Sequence, residues 1–309
     1  MTLRQLKYFL EIAQLRSFTR ASEVLHVAQP ALSRQIRALE EEFDLPLFNR
    51  VDRGVTLTEA GERLRDRVKV MLSSFDRLRD DVIASANEPH GGLTVGLAPS
   101  LREMVNVPLI DEYTRVYPGV RLDVHEGISL DLERLVQLGR IDCACVIDLD
   151  ASRSLVTERV LREQLFLIGP VSAGLRVDLP VTLADVAELD LILTTRPNSL
   201  RLIVEHALAR TRKPYRVVAD FNTTGFMVEL VKQGMAFSVL PYCAAWAAYR
   251  KHEIAVAPIR ELTIDWVMIS HRDRPLSLAA AKLSELVRDI AKRRIENGNW
   301  VSAQLIPPA

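Results

Sequence analysis

Apolar positions in the first sixty residues recur at helical spacing. Leu6, Phe9, Leu10 and Ala13 form one stripe and predict a helix over about residues 3–15. Ser17 and Thr19 suit an N-cap, and Ala21, Val24 and Leu25 come after them as the apolar face of a second, short helix. Leu32, Ile36, Leu39 and Phe43 stand 4, 3 and 4 residues apart and predict a third, with Pro30 in its first turn, where a missing N–H costs nothing. His26 to Gln29 is then the turn between the last two, without the glycine often found in such turns. On the other side of the third helix, Pro30, Ser33, Arg34 and Arg37 share one face, with no acid before Glu40. A helix with that face suits a DNA major groove, though any amphipathic surface helix shows the same periodicity.

Residues 47–57 favour DNA. Leu47–Arg50 and Val55–Leu57 flank Val51-Asp52-Arg53-Gly54, a turn signal between two strand-like runs. A hairpin there is a wing that carries Arg50 and Arg53 to phosphates, while the groove-facing helix reads bases. Thr58-Glu59 then opens a long helix in which Leu64, Val68, Met71, Phe75, Leu78 and Val82 are spaced 4, 3, 4, 3 and 4 apart, a coiled-coil seam amid charged residues. A seam of this kind is buried either by a second copy or by the chain's own domain. Pairing would set two recognition helices on two half-sites and predicts a two-fold symmetric DNA site.

Asn87-Glu88-Pro89-His90-Gly91-Gly92 reads as a hinge. Beyond it, apolar runs alternate with amphipathic helices. Strands are expected at Leu93–Leu97, Val120–Glu126, Cys143–Ile147, Gln164–Gly169, Leu191–Thr194, Arg216–Asp220, Phe237–Leu240 and Trp266–Ser270. Helices are expected at Leu101–Tyr117, Ser129–Leu138, Ser199–Arg210, Thr223–Gln233 and Leu276–Arg294. That alternation implies α/β sandwiches with mostly parallel sheets. The tail after Asn297 is expected to be loose, with Trp300 as its one residue able to dock.

Composition changes the picture little. The 309 residues are 48% hydrophobic, enough for two or three domains, and 40 basic residues cancel 40 acidic ones. Locally the balance is basic: four arginines and one acid lie between Arg16 and Leu39. Three cysteines argue against a disulfide framework, and Cys143 and Cys145, two apart in an apolar strand, share one buried face without further metal or redox ligands. Lys7, Glu11 and Arg16 interrupt any signal-peptide run, and no stretch approaches a membrane span, so a cytoplasmic protein without membrane partners is expected. The six histidines are scattered, and no nucleotide, zinc-protease or serine-hydrolase motif occurs, so an enzyme finds no support.

These motifs carry a resemblance. LKYFLEIA, SFTRASEVLHVAQPALSRQIRALEEEF, LPLFNR and GVTLTEAG, in that order and spacing, resemble the winged helix-turn-helix of LysR-type transcriptional regulators, and the length and layout of the rest extend the resemblance over nearly the whole chain. LHVAQPALSRQ is similar to the branch containing nitrogen-assimilation regulators. Asp44 departs from the family, which usually has glycine after the recognition helix, and puts the turn geometry there in question.

The resemblance implies a multi-domain protein. Residues 1–58 form the winged helix-turn-helix, 59–88 a dimerising linker helix, 91–161 plus 268–295 one Rossmann-like, periplasmic-binding-protein-like lobe, 162–267 a second, and 296–309 a tail. It implies a ligand-responsive regulator rather than an enzyme, with no cofactor but a small-molecule co-inducer between the lobes that alters the spacing of paired DNA-binding heads. Its partners would be double-stranded DNA, further copies of itself up to a dimer of dimers, and RNA polymerase. The candidate DNA-binding residues are Thr19, Gln29, Pro30, Ser33, Arg34, Arg37, Arg50 and Arg53. Strand-to-helix junctions that match the family's effector cleft supply Ser100, Ser129, Thr195, Arg196, Asn198 and Thr223, hydroxyl, amide and guanidinium groups suited to a carboxylate or other small anion. Such residues also serve as ordinary N-caps, and Arg196 is equally able to pair an acid such as Asp220.

Overall fold

The computed structural model describes residues 1–51, 54–83, 88–148 and 154–307. The chain divides into two compact units, Met1–Ile83 and Ala84–Ala309.

In the first unit, α1 (Leu3–Leu15), α2 (Phe18–Val24) and α3 (Gln29–Phe43) are followed by the hairpin β1 (Phe48–Val51) and β2 (Gly54–Leu57) and by α4 (Glu59–Ile83). Thr2 and Gln5 close a capping box on α1, and Ser17 caps α2 by accepting from the Arg20 N–H. Leu6, Phe9 and Ile12 of α1, Ala21 of α2 and Leu32, Ile36 and Leu39 of α3 are buried together. Phe43, expected to continue that stripe, is 40% exposed. It stands in the last turn of α3, beyond the reach of the core. Phe48 of the wing takes its place, its ring 5.3 Å from Phe9 and 5.7 Å from Phe18. Asp44 resolves its own question: it adopts φ +51°, the left-handed cap conformation that glycine would supply, which aspartate tolerates better than most residues. Thr58 starts α4 by accepting from the Gly61 N–H at 3.0 Å and donating to the Pro46 carbonyl at 2.7 Å.

The seam of α4 is divided. Leu64 and Val68 pack into the unit's own core, as does Leu72, whereas Met71 and Phe75 are 47% and 45% exposed. The side chains of Leu78 and Val82 lie outside the described residues. One side of the first four turns of α4 therefore serves the head, and the apolar positions open to a partner begin at Met71.

The second unit is built on one nine-stranded sheet. Its strands are β3 (Gly91–Leu97), β4 (Val120–Glu126), β5 (Cys143–Ile147), β6 (Leu155–Gly169), β7 (Asp190–Thr194), β8 (Arg216–Phe221), β9 (Phe237–Pro241), β10 (Ala255–His271) and β11 (Ala303–Leu305). They lie in the order β4-β3-β5-β10-β6-β9-β7-β8, with β11 paired to β6. Around them are α5 (Val107–Val116), α6 (Ser129–Gln137), α7 (Leu183–Val186), α8 (Ser199–Arg210), α9 (Thr224–Lys232), α10 (Tyr242–Arg250) and α11 (Leu278–Glu296).

The sheet is mixed rather than mostly parallel. β4, β3 and β5 are parallel at one end and β9, β7 and β8 at the other, but the long β10 and β6 between them are antiparallel to each other and to their outer neighbours. Only the second half of each was legible as strand. The helix expected over Leu101–Tyr117 also differs. It begins as a tight turn, Pro99–Leu101, and a wide turn, Arg102–Asn106, before regular α5. Pro108 in the first turn of α5 has no N–H for the preceding carbonyls, and that of Met104 accepts instead from the Arg294 guanidinium at 3.1 Å.

The tail is docked. Trp300 is 1% exposed, and β11 pairs along β6 with Ala303 opposite Glu163 and Leu305 opposite Leu161. Cys143 and Cys145 are both buried in the main core, and burial pushes the Cys145 thiol up to about 12, which keeps it protonated and unreactive.

Candidate functional site

In the first unit, the wing stands beside the start of α2 and the outer face of α3, and together they form a groove of about 350 Å³. Thr19, Gln29, Ser33, Arg37 and Arg50 line it. Pro30 and Arg34 lie outside that lining but are exposed on the same helix. Arg53 lies outside the described residues. Among the described residues, Arg34, Arg37 and Arg50 have no ion-pair partner, so three guanidinium groups remain available to an anionic ligand. Glu40, the first acid on α3, is occupied: its Oε1 accepts from the Leu47 N–H at 2.8 Å and the Phe48 N–H at 3.3 Å and pins the wing to the helix.

Gly54 and Gly61, the two glycines of GVTLTEAG, hold this geometry. Gly54 has φ +111°, and a Cβ there would fall 2.3 Å from the Arg16 carbonyl oxygen, which already accepts from the Val55 N–H at 3.0 Å. The wing is thereby fastened to the end of α1.

In the second unit, a cavity of about 40 Å³ opens at the carboxyl ends of the parallel strands. The junctions after β3, β4, β7 and β8 meet there, so α6, α8, α9 and the tight turn at Pro99 all begin at its wall. Of the six candidates, Ser100, Ser129 and Asn198 line it. Ser129 Oγ accepts from the Ile147 N–H at 3.1 Å, and Asn198 Oδ1 accepts from Thr194 Oγ1 at 3.1 Å and from the Arg201 N–H at 3.2 Å, so both are also structural.

Thr195, Arg196 and Thr223 are not in the lining. Thr195 is exposed, and its backbone N–H donates to the Phe221 carbonyl at 2.9 Å. Arg196 grips Glu205 through its Nε and Nη2, and Asp220 is taken by Arg201. The hydrogen bond from Arg196, aided by Arg201, holds the Glu205 carboxyl below its ordinary range. Thr223 stands at the N-cap position of α9 without a side-chain cap bond, and its neighbour Thr224 lines the cavity.

Thr194, Ser199 and Asn222, from the same junctions, also line it, as does Trp266, which no junction motif pointed to. Ser199 is 2% exposed, and its hydroxyl has no partner among the described residues. The available signal for Trp266 was its indole N–H, which must find an acceptor in an otherwise apolar strand. No metal-binding cluster occurs among the described residues, and no described helix is long and apolar enough to cross a membrane.

A winged helix-turn-helix joined to an α/β unit with a cavity at its strand ends defines a DNA-binding regulator with a ligand-binding domain. Comparison with known proteins agrees. Residues 3–62 match the family of bacterial regulatory helix-turn-helix proteins of lysR type, and residues 86–292 match the LysR substrate binding domain. The chain belongs to the LysR family of transcriptional regulators. It is 32% identical over 247 residues to the nitrogen assimilation regulatory protein nac of Klebsiella aerogenes, covering 79% of this chain and 80% of that one, which supports the nitrogen-assimilation branch. It is 27% identical over 297 residues to the transcriptional regulator BbuR of Bordetella bronchiseptica, covering 96% and 91%. Among solved structures, a full-length OxyR variant from Pseudomonas aeruginosa has a TM-score of 0.72 at 23% identity, covering 94% of this chain and 95% of that one. Full-length CbnR complexed with its target DNA has a TM-score of 0.70 at 23% identity, covering 94% and 100%.

Proposed function

We propose that this regulator reads a two-fold symmetric DNA site with α3 and the wing, and that a small anion in the cavity of the second unit controls how its paired heads are spaced. The observation that carries the DNA reading is the groove: five of the candidate residues converge on it, beside arginines without ion-pair partners among the described residues. In this reading Arg34 contacts a base edge, while Arg37 and Arg50, with Arg53, contact phosphates. Thr19, Gln29, Pro30 and Ser33 set the close approach.

The test begins by selecting a site from a random duplex pool with the full chain. Arg34→Ala should then cost about 1–3 kcal/mol on the selected site and little on random duplex. Arg50→Ala should weaken both alike and reduce the salt slope by roughly one. Equal losses from both variants on both duplexes would reduce the assignment to phosphate contacts alone.

Pairing is proposed through the linker, residues 59–88, of which α4 is the described part, with a tetramer as a dimer of dimers. The support is the exposed apolar pair Met71 and Phe75 on a helix whose earlier turns are already packed. Phe75→Glu should give a monomer in sedimentation velocity; an unchanged dimer would place the interface elsewhere.

The ligand-binding unit is taken as two lobes, 91–161 with 268–295 and 162–267, matching the two parallel groups of the sheet. A small anion or carboxylate is favoured because three helices of nine residues or more, α6, α8 and α9, begin at the cavity wall and no ionised side chain lines it. The buried, unpartnered Ser199 hydroxyl is a further donor. The chain acts in the cytoplasm on RNA polymerase and catalyses no reaction; its regulatory relatives support this reading.

A further inference from the structure

One buried group serves neither the groove nor the cavity lining directly. Glu163 in β6 is completely buried, and among the described residues no cation pairs with it. Its Oε1 accepts from the Cys243 backbone N–H at 2.8 Å and from the Trp300 indole N–H at 2.8 Å. Its Oε2 accepts from the Trp266 indole N–H at 2.6 Å and from the Cys243 thiol at 3.4 Å. Burial pushes the carboxyl's pKa up, and the hydrogen bonds, that from Trp266 foremost, oppose the shift. The three N–H partners can only donate, and the Cys243 thiol is the one group that can also accept, so the two carboxyl oxygens face four donors and a single acceptor.

The donors come from distant parts of the chain. Trp266 belongs to β10 and lines the ligand cavity. Cys243 stands in the first turn of α10. Trp300 belongs to the tail, and β11 just beyond it pairs with the strand that carries Glu163. One carboxylate therefore joins a cavity residue, a helix start and the C-terminal segment. None of these connections is local: Glu163 is 103 residues from Trp266 and 137 from Trp300.

We propose that Glu163 is the positioning residue of the ligand cavity: it fixes Trp266 and makes the segment around Trp300 respond when the cavity fills. This rests on the reading of the cavity as the site of a small anion. Occupancy that displaces Trp266 must pull on the carboxylate, and the carboxylate holds Trp300 by its other oxygen. The C-terminal segment is then a reporter of the cavity state, and a surface through which that state reaches whatever touches the tail.

The chain has three tryptophans, Trp246, Trp266 and Trp300, so the full-length protein labelled with 5-fluorotryptophan gives three ¹⁹F resonances, assigned by single Trp→Phe variants. Acetate and inorganic phosphate are the probes. In the wild type, the Trp266 and Trp300 resonances should shift together on titration, with one apparent Kd. Glu163→Gln keeps one acceptor oxygen. Its amide N–H₂ can donate to the Cys243 thiol but meets the Trp266 N–H head on. The Trp266 resonance should therefore move in the ligand-free variant, and Trp300 should stop following the probe while Trp266 still does. A Trp300 resonance indifferent to a probe that shifts Trp266, or one that follows it unchanged in Glu163→Gln, overturns the proposal.

If neither resonance responds to either probe, the anion reading falls, and the ligand-free protein decides the coupling. There Trp300→Phe, which keeps the carboxylate and its other donors, should shift the Trp266 resonance; no shift overturns the proposal. That arm also decides the matter if Glu163→Gln fails to fold.

Discussion

Gly61→Ala is expected to destabilise the N-terminal unit by about 2 kcal/mol, although alanine is the better helix former by about 1 kcal/mol. The sign is set by space. A Cβ at Gly61 would stand 2.2 Å from the Leu47 carbonyl oxygen and 2.9 Å from the Leu57 side chain. That carbonyl cannot simply withdraw, because it accepts from the Thr58 N–H at 3.0 Å and Leu47 itself is buried under the wing. Overpacking costs about 1–3 kcal/mol and occasionally more; an approach of 2.2 Å to a fixed carbonyl puts it at the top of that range, and subtracting the helix gain of about 1 kcal/mol leaves about 2 kcal/mol. A unit of this size has little stability to lose, so the expected drop in its melting temperature is on the order of 10 °C, with DNA binding lost at the same point. Calorimetry of the full chain, with DNA binding followed in parallel, checks this. A variant that melts at or above the wild type would show that α4 does not approach Leu47 as described.

The second large effect is expected at Trp300. Trp300→Ala should destabilise the second unit by about 4 kcal/mol, in the range for deleting a buried aromatic side chain. The indole is 1% exposed and its N–H is one of the bonds to Glu163, so the substitution both opens a cavity and removes a donor from a buried carboxylate. Urea unfolding of the full chain reads the loss. Trp300→Phe, which keeps most of the apolar volume, should cost about half as much. A loss below about 1 kcal/mol in the alanine variant would mean that the tail is not anchored.

The N-terminal unit was readable because its interactions are local. Its first three helices are short amphipathic segments with periodic cores, and the wing comes directly after them. The miss there, Phe43, came from extending a stripe one turn past the core that Phe48 completes. In the second unit the short strands were readable for the same reason: Cys143–Ile147 stands where its apolar run placed it, and Val120–Glu126, mostly exposed at the sheet edge, where its alternation of apolar and polar residues placed it. The first halves of β6 and β10 were not, because Glu158, Arg159 and Arg162 in the one, and Pro258, Arg260 and Glu261 in the other, break the apolar run that marks a buried strand. Thr223 and Thr224 show the resolution limit at the cavity: the junction pattern marks both, and it is Thr224 that lines the wall. Arg196 failed for a different cause. Its partner Glu205 lies two turns into α8, and no pattern in the junction announces it. Trp266 and Trp300 depend on Glu163 across more than a hundred residues, a relation that periodicity cannot carry.

The pairing of β11 with β6 bears on how this protein is cut for study. A fragment ending where the substrate-domain match ends, at residue 292, would remove Trp300 and β11 and strip the cover from Leu161 to Glu163. It would present open backbone donors and acceptors beside a buried carboxyl short of one donor, the kind of bare strand edge on which separate molecules stack. Aggregation of such a fragment would reflect where the knife fell, and solubility should return once the chain is extended through Leu305.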